Sequence, residues 1–153
     1  MPTAVIYLTS DHAGQNLRAQ IHGHIVAKGC NVIDLGPDSD ASVDYPDFGV
    51  ELALAMKNSV EARGIAICGS GIGISIAVNR FSWIRAALVN SIEATMLSRL
   101  HNDANVLAFG ERLISHELAL KCIDTFLDTK FEGKRHRRRV EKLRAIGTQS
   151  RTL

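Results

Sequence analysis

The chain lacks several features that would place it at once. It has three cysteines in 153 residues, Cys30, Cys68 and Cys122. The count is odd, the spacings are wide and no CxxC pair occurs, which argues against a disulfide framework and a structural zinc site. No stretch approaches the ~18 continuous apolar residues of a membrane-spanning helix. The opening residues, MPTAVIYLTSDH, carry no basic region ahead of their short apolar segment, so no leader is read there. Lys and Arg number 18 against 16 Asp and Glu, and a net charge of +2 is too small to imply a polyanionic partner. No internal repeat or low-complexity linker is seen. These absences leave a soluble cytoplasmic protein, expected as one domain over residues 1–153 with a basic tail from about 131 onward.

What the chain does have is a regular alternation of two patterns. Short, nearly continuous apolar runs lie at 4–11, 31–36, 64–69, 84–90 and 105–110, as strands buried on both faces should. Helix-like segments fill 14–29, 47–59, 72–81, 91–100 and 115–129. In the fourth, Ile92, Met96 and Leu100 share one face; in the fifth, Leu118, Cys122, Ile123 and Phe126 do. Ser115 is a candidate N-cap, with Glu117 in the first turn. Strand and helix alternating five times predict an α/β fold: a three-layer, Rossmann-like arrangement with a five-stranded parallel sheet. Ligands bind such sheets beyond the carboxyl ends of the strands. The polar groups expected on that edge are Asp11-His12, the loop at 68–71, the stretch His101–Asn105, and Glu111-Arg112. Part of the tail is expected to be helical, with fraying over 147–153.

The stretch Cys-Gly-Ser-Gly-Ile-Gly at 68–73 carries most of the chemistry. Glycines at 69, 71 and 73 let backbone N–H groups turn toward one point, a site for an anion or a developing oxyanion. The spacing is not a Walker loop, and no acidic ribose-binding residue stands ~20 residues on, as a dinucleotide fingerprint expects. Two readings of the loop stand side by side, a tight structural turn and an anion cradle. Cys68 also has two, a small core residue and a thiolate acting as base or nucleophile. Cys30 and Cys122 read as packing residues. His22 and His24, two apart on a helix, do not form a metal pair. His101 is surrounded by Asn102, Asp103 and Asn105, which could fix its tautomer. The run Lys134–Arg139 has no interleaved aromatics for stacking on bases and better suits one small anionic group.

Five motifs in order, SDHAG, DYPDFG, ICGSGIGISIAVNRF, RLHNDANVLAFGERL and FEGKRHRRRV, resemble the ribose-5-phosphate isomerase B family, which includes the galactose-6-phosphate isomerase subunits. The resemblance runs from about residue 4 to 145. It implies an aldose–ketose isomerase of the non-oxidative pentose phosphate pathway, converting D-ribose 5-phosphate to D-ribulose 5-phosphate with no metal and no cofactor. It implies a homodimer or dimer of dimers, with active sites shared between subunits and the 131–153 tail reaching its neighbour's site. Neither a nucleic acid nor a membrane partner is implied.

The resemblance also distributes roles. Cys68 matches the family's base; members without this cysteine carry a glutamate where this chain has Ile74. Ser70 stands where many members have threonine and takes the O1/O2 proton relay, with the backbone of Gly69, Gly71 and Gly73 holding the enediolate oxygen. His101 matches the acid/base for ring opening, with Asp11 as its partner near the ring oxygen. Tyr45 and Asn102 match substrate contacts, and His12, Arg135 and Arg139 match phosphate contacts, with Arg112 and His136 as helpers. Lys134, Arg137 and Arg138 depart from the family's tail. A six-carbon substrate such as allose or galactose 6-phosphate, and a non-catalytic sugar-phosphate-binding module, are the alternatives.

Overall fold

A computed structural model describes residues 4–147; the end of the predicted fraying segment, 148–153, lies outside the described residues. Five strands form one sheet: β1 (Ile6–Ser10), β2 (Val32–Asp34), β3 (Arg63–Cys68), β4 (Ala86–Leu88) and β5 (Val106–Gly110). All pairs are parallel and the order is β2-β1-β3-β5-β4. The helices are α1 (Gln15–Ala27), α2 (Tyr45–Met56), α3 (Ile72–Val78), α4 (Ile92–Asn102), α5 (His116–Asp128) and α6 (Arg135–Ala145), with a 3₁₀ turn at His12–Gly14 ahead of α1. The parallel α/β sheet is the predicted architecture.

The strand pleat divides the core in two. On β3, Ile65 and Ile67 join Leu8, Phe109, Leu17 and Ile123 in a cluster under α1 and α5. The alternate residues Ala66 and Cys68 join Leu52, Ile74 and Val78 under α2 and α3. Period two thus decides which layer receives the Cys68 side chain.

The two edge strands, β2 and β4, are cut to three residues each, half or less of their apolar runs. Before β4, the Arg85 amide donates to the Asn105 side chain at 2.7 Å rather than to a strand carbonyl. Likewise α3 ends at Val78, not near 81. The Asn79 amide side chain turns outward to bracket Ala86, accepting from its N–H at 2.8 Å and donating to its carbonyl at 3.0 Å.

α4 departs further from expectation. Ile92 and Met96, two of the three stripe residues, are exposed, while Thr95, Ser98 and Arg99 face inward. Arg99 is 3% exposed. Its guanidinium donates to Asp103 at 2.9 Å, to the Thr129 carbonyl at 3.1 Å and to the Ala104 carbonyl at 2.6 Å. A buried charge so fully bonded can replace an apolar contact, and it frees the apolar stripe to lie outside. The tail is helical from Arg135 and rests on α4, with His136 and Val140 buried.

Candidate active site

Going from β1 to β2 and then to β3, the chain crosses back past β1, so the crevice between β1 and β3 is where a ligand is expected. Asp11 and Cys68 stand on its two sides. The Asp11 amide extends the ladder to the Ile67 carbonyl at 3.1 Å, and its carboxylate accepts from the Ala13 N–H at 2.9 Å. This bond caps the 3₁₀ turn and fixes the carboxylate at the mouth. His12 follows, exposed, and its Nδ1 accepts from the Val43 N–H at 3.1 Å. That acceptor role places the ring proton on Nε2, which is then a donor.

Cys68 ends β3 and is 4% exposed. Its sulfur accepts from the Gly71 N–H at 3.2 Å. Gly71 reaches this position with φ +75°, and a Cβ there would lie 2.6 Å from the Phe109 carbonyl carbon. Only glycine fits both the dihedral and the gap. Ser70 Oγ accepts from the Ile72 N–H at 3.2 Å, which leaves its own proton free to donate. Among the described residues, the N–H groups of Gly69, Ser70 and Gly73 have no protein acceptor. They are unpaired donors at the loop. The Gly71 amide, expected to serve an oxygen, is turned to sulfur instead. The Tyr45 ring lies over Gly73 and the Arg112 guanidinium over Gly69, so these two side chains wall the loop. Ile74 is fully buried in the same cluster as Cys68.

The remaining candidates are elsewhere. His101 and Asn102 end α4, just before β5 begins at Val106. Val106 pairs with Gly64 and Gly110 with Cys68, so His101 sits at the amino end of the sheet. Four residue steps of β3, roughly 13 Å, separate that end from the thiol. The expectation that His101–Asn105 shares the carboxyl edge is corrected: a helix-to-strand connection in a parallel sheet always lies at the opposite edge. The surrounding polar residues do not orient His101 either. Asp103 pairs with Arg99 and Arg85, and Asn105 bonds the Arg85 N–H and the Trp83 carbonyl.

His101 instead stacks on His136, with ring centroids 4.3 Å apart and planes 15° from parallel. Arg135 and Arg139 are exposed on the adjoining helix and make no ion pair among the described residues. One chain therefore presents two separated groups: a thiol with donors at one edge, and histidines with arginines at the other. A ligand atom from each of His101, Glu132 and His136 lies within 4.8 Å of the others. Parallel stacked rings keep their lone pairs in parallel planes, so this trio is not set to converge on one ion.

Sequence reasoning missed two supports. Arg99 anchors the helix end that carries His101, and its spacing of four from Asp103 was the available signal. Glu111 accepts from the Leu17 N–H at 2.6 Å and so seats α1 behind Asp11. No helix among the described residues is long and apolar enough to cross a membrane.

Comparison with known proteins gives one consistent result. The family described as Ribose/Galactose Isomerase matches residues 6–143. The ribose-5-phosphate isomerase B of Escherichia coli K12 is 46% identical over 136 residues, 89% of this chain and 91% of that one. The structure of Clostridium thermocellum ribose-5-phosphate isomerase B superposes with a TM-score of 0.91 at 46% identity, covering 94% of this chain and 97% of the other. That of Mycoplasma genitalium ribose-5-phosphate isomerase B with bound ribulose-5-phosphate gives 0.93 at 39% identity, over 98% and 100% of the two chains.

Proposed function

Because the chain belongs to the ribose/galactose isomerase family, we propose that it interconverts D-ribose 5-phosphate and D-ribulose 5-phosphate by proton transfer through an enediolate. The observation that carries this reading is the Cys68 sulfur at the end of β3, bonded by the Gly71 N–H beside three unpaired loop amides. The thiolate takes the C2 proton of the open aldose and returns it to C1. The charge that develops on oxygen meets the amides of Gly69, Ser70 and Gly73. The Ser70 hydroxyl, already accepting from Ile72, donates its proton and relays between O1 and O2. Asp11 and Tyr45 hold the sugar hydroxyls, and the Nε2–H of His12 faces the phosphate. Each step uses groups of the chain itself, and neither metal nor cofactor takes part.

Ring opening and most phosphate contacts fall to His101, Asn102, Arg135 and Arg139, with Arg112 beside the loop. A second copy supplies the first four. Exposed apolar side chains support this: Ile72 and Ile76 on α3 are 50% and 56% exposed, and Leu88 on β4 and Ile92 and Met96 on α4 are exposed as well. Such a patch marks an interface, and a two-fold pair completes two sites at once. The assembly is a homodimer, or a dimer of such dimers, with the basic tail of each subunit at its neighbour's site. The three free thiols fit a reducing compartment, the cytoplasm.

The test is a coupled assay with EDTA on ribose 5-phosphate and allose 6-phosphate side by side, with Cys68→Ala alongside. Metal-independent turnover of the pentose that the variant loses is the expected result. Turnover of the hexose alone moves the substrate. No turnover of either returns the chain to a sugar-phosphate-binding module.

A further inference from the structure

His136 was expected among the phosphate contacts, but it is 5% exposed, and its Nε2 is buried with no hydrogen-bond partner among the described residues. A ring so enclosed does not present itself to a phosphate. A buried unpaired nitrogen also carries a cost that a native fold keeps for a reason. What the ring does make is the face-to-face contact with His101 at 4.3 Å. His101 itself is only partly buried and sits on the penultimate residue of α4. The stack is the one ring contact made by the His101 imidazole among the described residues.

We propose that His136 is a positioning residue for ring opening: its buried imidazole, held at the start of α6, fixes the plane of the His101 ring so that one nitrogen addresses the sugar of the neighbouring subunit. The inference rests on the reading of His101 as the ring-opening acid/base. In that step the O1 proton of the furanose leaves, the C1–O4 bond breaks, C1=O1 forms and O4 gains a proton, so no electrons are exchanged with the surroundings. One imidazole can serve both transfers only if its plane is held while the sugar moves from cyclic to open form.

The charges around the pair agree with this division of labour. Burial lowers the pKa of His136; the neighbouring His101, Arg135 and Arg139 lower it further, and Glu132 alone opposes them. His136 therefore stays neutral near neutral pH. The buried member of the stack thus adds no charge beside the His101 ring.

The experiment reads two rates on the full-length protein. One is turnover of ribose 5-phosphate, which needs the ring opened. The other is exchange of solvent deuterium into C1 of ribulose 5-phosphate, which is acyclic and needs only the enediolate step. His136→Ala is expected to lower turnover about 10- to 100-fold while exchange stays within about twofold. His136→Phe keeps a flat ring for the stack and is expected to recover most of the turnover. Folding is checked for each variant by circular dichroism and thermal melting. A folded His136→Phe protein no better than His136→Ala, or exchange that falls in step with turnover, overturns the positioning role. His101→Asn serves as the reference. If it fails to split the two rates, the ring-opening assignment falls and this proposal with it. If it splits them and the His136 variants do not, only the positioning role fails.

Discussion

The Gly71 amide points at the Cys68 sulfur from 3.2 Å, and the left-handed dihedral of Gly71, φ +75°, is what aims it. A side chain at 71 has no room beside the Phe109 carbonyl carbon and the Gly110 nitrogen, at 2.6 and 2.8 Å. We predict that Gly71→Ala costs about 1–3 kcal/mol of stability from the dihedral alone. Activity should fall by much more than the melting temperature implies. Denaturant titration beside the isomerase assay checks both.

Mixing complementary defects tests the division of the site between copies. Cys68→Ala removes the base and Arg135→Ala a phosphate contact of the neighbour. Each homodimer should be deficient, Cys68→Ala in turnover and Arg135→Ala chiefly through a higher KM. Co-refolded mixtures should regain up to about one intact site in each mixed dimer. Mixed dimers verified by mass, with no recovered activity, would count against shared sites.

The apolar stripe on α3 and α4 should hold the copies together. Ile76→Lys with Met96→Lys places two charges at exposed apolar positions. The expected outcome is a folded monomer by sedimentation, with native circular dichroism and little activity. A variant that remains dimeric would place the interface elsewhere.

Arg99 is a stability residue rather than a contact for substrate. Arg99→Ala strands the Thr129 and Ala104 carbonyls and leaves Asp103 without its closest cation. The expected loss is about 3–5 kcal/mol, read from urea unfolding. Arg99→Lys should recover little, since one ammonium cannot span the same acceptors in that plane.

His136 gives the pH dependence its sign. Its pKa is lowered by burial in the folded chain, against about 6.5 when unfolded. Below that value the unfolded chain binds the proton first. The stability linked to this group is thus fully present above about pH 6.5 and is lost as pH falls toward the folded value. His136→Phe should flatten that part of the curve in melting experiments between pH 7 and 5.

The sheet was readable because strands buried on both faces must be apolar throughout, as 64–68 and 106–110 are. The order of the strands was not, since which strands neighbour one another is settled by packing between distant elements. His101 shows a limit of a different kind. Its place before β5 was already legible, and parallel topology alone assigns that position to the amino edge. The α4 stripe shows a third: periodicity says which residues share a face, but not what covers it. The thiol loop was legible as a cluster of turns, whereas the Gly71 bond to sulfur depends on dihedrals that residue names do not carry. Asn105 looked like a partner for His101 and is instead a substitute for a missing strand bond at Arg85.

β3 has a neighbouring strand on both sides, while α6 rests on α4. Amides around Cys68 should exchange with solvent only when the whole sheet comes apart, whereas those of α6 exchange through local opening. Warming should therefore dismantle the site unevenly. The proton-transfer edge persists after the arginine helix has begun to detach, so heat inactivation sets in below the unfolding transition and reverses on cooling.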